Sequence, residues 1–269
     1  MNIIATAKGA VEIRELRSIT EMIQAEALQG LVWGLETIPH PKEILIPVQY
    51  EGGLLAGAFH QDEMIGLIFG FPTRDPSIQH SQLLATREDW RRLGIGAALK
   101  WYQRAWCLER SIRLVRWTVD PLRIANANLN IHILGGTSST YFSDFYGVMQ
   151  GIDAGAPTDR LLIEWQIDSS RVAERFANPT ECSTYSLLPS ANDIEDEKPV
   201  RIRLDLDDPE FLVRLPDNFG LLTRTNPELA LVWRLETRKL FQTYFQNGYA
   251  ISGFLISNGP AYVMERQSS

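Results

Sequence analysis

Apolar and polar residues alternate with a period of two over "VEIREL" (11–16), the pattern of a half-buried strand. In "SITEMIQAEALQGLVWG" (18–34) a helix is predicted. Ser18 stands as N-cap, Glu21 follows three residues later, and Gly34 closes the segment. "PKEILIPVQYEGG" (41–53) predicts a short second helix broken at Pro47. Two nearly continuous apolar runs, "LLAGAFH" and "MIGLIFGFP", flank "QDE" and predict a hairpin, to which "IQHSQLLAT" (78–86) adds a third strand. An amphipathic helix follows to about Arg110, then a strand, "IRLVRWTV" (112–119). "ANANLNIHILGG" reads as a short helix stopped by Gly135 and Gly136. "RLLIEWQI" (160–167) is the last strong strand of this half.

The order strand, helices, three strands, helix, strand, helix, strand predicts a mixed α/β sheet. Around 178–199 the pattern collapses into "NPTECSTYSLLPSANDIEDEKP", which is polar, acidic and proline-bearing, as loops are. The expected organisation is a domain over 1–170, a linker or loop over 171–199, and an extension over 200–269. Within the extension, "VRIRLDL" (200–206) and "FLVRLP" (211–216) read as strands. "TNPELALVWRLETRKLFQTYFQNGY" reads as a helix, with Thr225 or Asn226 as N-cap, Pro227 in the first turn and Gly248 past the end. "YAISGFLIS" and "AYVMER" around Asn258-Gly259 predict a terminal hairpin. So short a stretch makes a marginal core alone. The extension is therefore expected to pack on the first domain or to build a homodimer interface.

Composition narrows the function. The 269 residues are 45% hydrophobic and 22% charged, as in an ordinary globular protein. A net charge of -7 argues against nucleic-acid and anionic-membrane partners, since both need a basic face. No uncharged apolar stretch approaches the ~18 residues of a membrane span, and the N-terminus shows no signal-peptide core. The expected location is cytoplasmic. Cys107 and Cys182 form neither a metal motif nor a disulfide framework, and Cys107 reads as a buried thiol. No metal is expected.

Against this acidic background, "WRRLGIGAALK" (90–100) gathers positive charge and bare backbone at one turn. Two glycines one residue apart at a helix entrance let backbone N–H groups converge on one concavity. The helix N-terminus, Arg91 and Arg92 add positive charge, and together these suit a diphosphate. A glycine-containing helix start with solvated arginines is the plainer alternative. The dinucleotide fingerprint G-x-G-x-x-G fails, because Leu99 holds its third glycine position, and no P-loop is present. The pattern that fits is [R/Q]-x-x-G-x-[G/A], with Arg91, Gly94 and Gly96 at its fixed positions.

That strand, turn and helix resembles the GNAT N-acetyltransferase superfamily over roughly residues 11–168. "VRWTVDPLRIANANLNIHILGG", "YFSDFYG", "PTDRLLIEW" and the tail "ELALVWRLETRKLFQTYFQNGY" look like a subgroup with a C-terminal extension. The resemblance implies a mixed, mostly antiparallel sheet with splayed central strands flanked by helices. It implies acetyl-CoA or another acyl-CoA as co-substrate. The amides of Arg91, Arg92, Gly94, Ile95, Gly96 and Ala97 would hold the diphosphate. Leu84, Ala85 and Thr86 would pair with the pantetheine like an added strand. Many relatives carry a tyrosine four residues before the glycine that ends the later helix, as proton donor to the departing thiolate. Here that position is Ile131. Tyr146 is the preferred substitute, or else a half-buried aromatic; Tyr141 lies nearby. Asn126 and Asn130, four apart on one helix face, are candidates for the pantetheine arm. Trp33 and Glu36 fall where the acceptor loops of this superfamily lie.

Transfer to an alkylamine needs a base, because such an amine is mostly protonated at neutral pH. By the strand period, His80, Gln82, Leu84 and Thr86 share a face, and His80 titrates in the useful range. His80 is the base candidate, or a structural histidine. Asp120 ends a strand, where it would line the acceptor site or cap the turn at Pro121. Arg160 would meet an acceptor carboxylate or pair with Asp159. No nucleophilic triad is visible. The expected activity is acyl transfer to a small amine or amino acid by direct attack in a ternary complex. A non-catalytic CoA-binding module and a peptide or protein N-acetyltransferase are the alternatives.

Overall fold

The computed structural model describes residues 2–34, 38–147, 157–178 and 188–267. The chain forms two compact units. The first runs through Trp117 and includes Gln166–Asp168; the second holds the remaining described residues.

In the first unit, β1 (Asn2–Thr6), β2 (Gly9–Glu15), β3 (Leu54–His60), β4 (Glu63–Pro72) and β5 (Ile78–Thr86) form an antiparallel meander in sequence order. β6 (Leu114–Val119) pairs parallel with β5. α1 (Ile19–Trp33) starts where Ser18 Oγ accepts from the Glu21 N–H at 3.2 Å. α2 (Lys42–Tyr50) runs through Pro47 rather than breaking there. The backbone bond that Pro47 forgoes is offset by burying Leu45 and packing Val48 into the core. β3 and β4 are buried nearly throughout, because both faces of the sheet are covered. One face packs Met22, Ala25 and Leu28 of α1 and Leu45 of α2 against Leu67, Phe69, Leu83 and Ala85. The other takes α3 (Ile95–Glu109). A Cβ at Gly66 would lie 3.0 Å from both Ile95 Cγ2 and Leu99 Cδ1, so the bare strand backbone there sets how closely α3 approaches. β1 carries no clear alternation and was not foreseen.

A polar cluster is buried between α3 and β5. Lys100 is 2% exposed and donates to Ser81 Oγ (2.9 Å) and Gln103 Oε1 (3.1 Å), with its ammonium 3.4 Å from the centre of the Trp117 ring. Gln103 Nε2 and Cys107 Sγ both donate to Gln79 Oε1. Burial pulls the Lys100 amine down to about 7 and pushes the Cys107 thiol up to about 12, so neither charge is favoured there. An unfolded lysine titrates near 10.5. Between about 7 and 10.5 Lys100 therefore holds a proton in the unfolded chain that it lacks in the folded one, so its own contribution to stability rises with pH across that window. Above about 9 the thiol of Cys107 works in the opposite direction in parent and variant alike. Lys100→Met should flatten the slope and raise the melting temperature below pH 7. Thermal melts of both proteins from pH 6 to 10 check this; parallel curves would contradict it.

In the second unit, α4 (Ile124–Ala127) passes into a π-helical turn over Asn128–Ile133, and Gly135 (φ 74°) ends it. β7 (Thr137–Phe142) and β8 (Arg160–Gln166) are antiparallel. α5 (Ser170–Ala177), capped by Ser169, occupies the start of the stretch expected to be a linker. β9 (Asp193–Glu195) and β10 (Lys198–Val200) form a two-stranded ribbon. β11 (Glu210–Arg214), α6 (Phe219–Thr225), α7 (Pro227–Gln246), β12 (Tyr249–Leu255) and β13 (Ala261–Arg266) complete it. Their sheet runs β8-β7-β12-β13-β11, with Ile251 pairing Ser138 where β12 meets β7. "VRIRLDL" is not a strand beyond Val200. Its alternation still turns Ile202, Leu204 and Leu206 partly inward, but single bonds replace a ladder: Tyr244 Oη donates to Arg203 O and accepts from Leu206 N.

Two arginines one turn apart on α7 tie this unit together. Arg234 binds both oxygens of Asp120 at 2.8 Å, and Arg238 binds both oxygens of Asp159 at 2.7 and 2.8 Å. Tyr262 Oη donates to Pro121 O at 3.0 Å.

Candidate functional site

β5 is the element on which the first unit's candidate residues depend. Its ladder with β4 pairs Ser81 with Gly70 and Leu83 with Phe69, so Gln82 is an extra residue, a β-bulge. A bulge reverses the facing of everything after it. Gln79 and Ser81 point to α3, whereas Leu83 and Ala85 lie in the cluster with α1. His80 stacks on Phe71 (4.9 Å) on the α1 side, while Leu84 and Thr86 pair with Ile68 and Gly66 on the α3 side. The expectation that His80, Gln82, Leu84 and Thr86 share one face is therefore corrected.

The other edge of β5 also changes at this point. The parallel ladder joins Ile78, Gln79 and His80 to Leu114, Val115 and Arg116. Beyond His80, β5 continues on β4 as far as Thr86 opposite Gly66. Within this unit no strand pairs with the far edge of 81–86 among the described residues. Such an edge can accept an extended chain as an added strand.

Immediately after it, Glu88–Trp90 makes one 3₁₀ turn, anchored by buried Trp90. Arg92 (φ 63°) and Gly94 (φ 80°, ψ -2°) are both left-handed, and α3 begins at Ile95 without a side-chain cap. Space is open where a Cβ would stand on Gly94. Ala98 N donates to Gly94 O at 3.0 Å. The Arg91 amide, expected in the diphosphate site, instead donates to Glu88 O at 3.1 Å, but among the described residues nothing accepts from the amides of Arg92, Leu93, Gly94, Ile95, Gly96 and Ala97. Arg91 and Arg92 are exposed, and Arg91 Nε reaches Thr86 O at 3.4 Å. A run of unclaimed N–H groups at a helix start, with two cations beside it, has the donors and the charge that an anion nest requires.

Burial first, then the charge of Arg116, hold His80 below its ordinary titration range, so it is neutral at physiological pH. Trp33, the last residue of α1, is half-buried against the α1-side core. Glu36 lies outside the described residues.

The second unit places its candidates as follows. Asp120 is buried, with both oxygens on Arg234 and Oδ1 also accepting from Leu122 N (2.9 Å). Burial raises its carboxyl, but Arg234 and these hydrogen bonds outweigh that and hold it below the usual range. This geometry employs Asp120 in the core and in the Pro121 turn. Asn126 is exposed and Asn130 buried, so the two do not share a face. The π turn between them widens the helix and breaks the four-residue spacing. Ile131 is buried and apolar. Tyr141 donates to Asp159 Oδ2 at 2.6 Å, and burial with that carboxylate pushes its phenol far up. Tyr146 is exposed, with its hydroxyl 2.8 Å from Thr118 Oγ1. Arg160 donates to Asp159 O at 3.0 Å, and its guanidinium lies 5.2 Å from the Tyr146 ring centre.

Sequence reasoning missed His40, which sits beside the bulge with its Nε2 3.4 Å from Gln82 Nε2. The prolines on both sides of it were the available signal. Among the described residues no group of His, Cys, Asp and Glu could hold a metal, and no helix is long and apolar enough to cross a membrane.

No family model matches the sequence, and no curated protein matches it. Solved structures do. The ribosomal-protein-S18-alanine N-acetyltransferase from Escherichia coli is 17% identical, over 60% of this chain and 96% of its own, with a TM-score of 0.49. Aminoglycoside 6'-acetyltransferase type Ii is 18% identical, over 59% of this chain and 98% of its own, with a TM-score of 0.49. An acetyltransferase of GNAT family from Streptococcus pneumoniae is 16% identical, over 57% and 98%, with a TM-score of 0.48.

Proposed function

We propose that the chain is a GNAT-type N-acyltransferase that takes its acyl group from a CoA thioester, acetyl-CoA by default. The observation that carries this reading is the run of unclaimed amides from Arg92 to Ala97, directly after an open-edged, bulged strand. The nest suits the CoA diphosphate, and the edge at Leu84–Thr86 suits the amide-bearing pantetheine. The acceptor is a small amine or amino acid that attacks the thioester directly. Amides at the strand edge can stabilise the oxyanion, a contribution often worth ~3 kcal/mol. Tyr146 is assigned proton donation to the departing thiolate, since Ile131 cannot supply it.

The test is thiol release from acetyl-CoA across a panel of amines, amino acids and peptides. Turnover with a small amine is expected, and Tyr146→Phe should lower kcat by about 100-fold with little change in KM for acetyl-CoA. CoA binding without turnover on any acceptor would instead mark a binding module. Turnover on peptides alone would move the acceptor class.

A further inference from the structure

Gln29 is an oddity of α1, a glutamine only 2% exposed among apolar side chains. Burying an amide is costly unless it is bonded. Both ends of the Gln29 amide meet one loop residue: Nε2 donates to His40 O (3.2 Å), and Oε1 accepts from His40 N (2.8 Å). Its Nε2 also donates to Ala25 O at 3.1 Å. Pro39 and Pro41 restrict the same residue from either side. The His40 backbone is thus fixed, and its ring stands edge-on to Phe69 with centroids 5.7 Å apart. Its Nε2 faces Gln82, the bulge residue on the open-edged stretch of β5.

We propose that His40 is the general base of the acyl transfer, held in place by Gln29 and oriented by Gln82. The inference rests on the acyltransferase reading above. An amide N–H of Gln82 donating to Nε2 leaves the lone pair on that nitrogen and the proton on Nδ1. At 3.4 Å the contact is long, and exposed Gln82 can yield to an incoming ammonium group. Burial holds the ring below its ordinary titration range, so it is unprotonated at neutral pH.

The charged and titratable groups on the surrounding elements leave this state undisturbed. Lys42 and Glu43 of α2 pair with each other at 2.8 Å, and Glu26 of α1 accepts from Lys42 N. His80 of β5 is less suited to the task. Burial and the charge of Arg116 oppose its taking a proton, and it lies where β5 is still paired with β6.

His40 Nε2 takes one proton from the acceptor's ammonium group, and the freed lone pair attacks the thioester carbonyl to form the C–N bond. As the tetrahedral adduct collapses, the C–S bond breaks and sulfur keeps its electron pair. The sulfur takes the Tyr146 hydroxyl proton, and the nitrogen's surplus proton restores that hydroxyl, giving amide and CoA thiol. His40 then releases its proton to solvent.

The experiment uses the full chain, acetyl-CoA and an amine that turns over, with kcat/KM followed from pH 5 to 9 and CoA affinity measured by calorimetry. His40→Gln should lower kcat by about 100-fold, remove the acidic limb of the profile, and leave CoA affinity unchanged. Added imidazole should restore part of the rate. Gln82→Met should lower kcat less and keep the limb, and His80→Gln should keep both. His40→Asn with a native melting temperature guards against a folding defect. The inference is overturned if the limb and kcat survive in His40→Gln, if the limb disappears with His80→Gln, or if CoA affinity falls in step with kcat. Wild-type protein that binds CoA yet releases thiol to no acceptor overturns the acyltransferase reading itself, and the base assignment with it.

Discussion

Gly96→Glu should yield a well-folded protein whose affinity for CoA has fallen by about 100-fold or more, since juxtaposed like charges cost several kcal/mol and each 1.4 kcal/mol is tenfold. Gly96 is the second residue of α3, inside the unclaimed run of amides. A glutamate there would bring a carboxylate to the nest that is proposed to hold the diphosphate. The same change should not harm the helix. Glutamate has a better helix propensity than glycine, and a negative charge in the first turn complements the helix dipole. The melting temperature is therefore expected to hold or rise while binding is lost. A folded Gly96→Glu protein that binds CoA as the parent does would remove the turn from the account. Arg91→Ala should weaken binding less, and more at low salt than at high, because part of its contribution is screened attraction.

The largest expected effect on stability comes from Arg234→Met. Asp120 would then be buried with its guanidinium partner gone, and breaking a buried pair from one side typically costs about 3–5 kcal/mol. For a chain of this size that amounts to a fall of roughly 10 °C in melting temperature. In the parent, Arg234 keeps the Asp120 carboxyl below its ordinary value, so its contribution is present above the usual carboxylate range and lost as pH falls through the lowered value. In the variant burial would be opposed only by Leu122 N, the charge of Arg160 and the longer contact to Arg123 (3.8 Å), and the carboxyl would shift upward. Adding Asp120→Asn removes the stranded charge while keeping an oxygen to accept from Leu122 N, and should recover much of the loss. Thermal melts of the two variants decide this. A single variant as stable as the parent would show that the pair contributes nothing net.

What the chain disclosed about itself was mostly local. α1 and α7 could be read from their ends, because Ser18, Gly34, Asn226, Pro227 and Gly248 act on backbone within a turn of where they stand. The meander β3–β5 showed in its apolar runs, and the opening of α3 in its glycines. Features that depend on a distant partner were hidden. The bulge at Gln82 exists only in the register with β4, and that single extra residue sends His80 and Leu84 to opposite faces. Asp120 looks like an available carboxylate until Arg234, 114 positions away, is folded against it. Asn126 and Asn130 are a helical pair on paper, but the π turn separates an exposed residue from a buried one. The 200–206 alternation did report an inward face, yet alternation cannot tell a strand from an extended segment held by Tyr244.

The central claim is that the backbone amides from Arg92 to Ala97 grip the CoA diphosphate. Amide-resolved NMR with hydrogen exchange, on the full chain with and without CoA, measures this directly. CoA is predicted to shift these amides and slow their exchange, with the largest changes from Gly94 to Ala97. Pantetheine, which lacks the diphosphate, should leave them as they were. If CoA binds while these amides exchange at unchanged rates, or if CoA fails to bind at all, the account is contradicted.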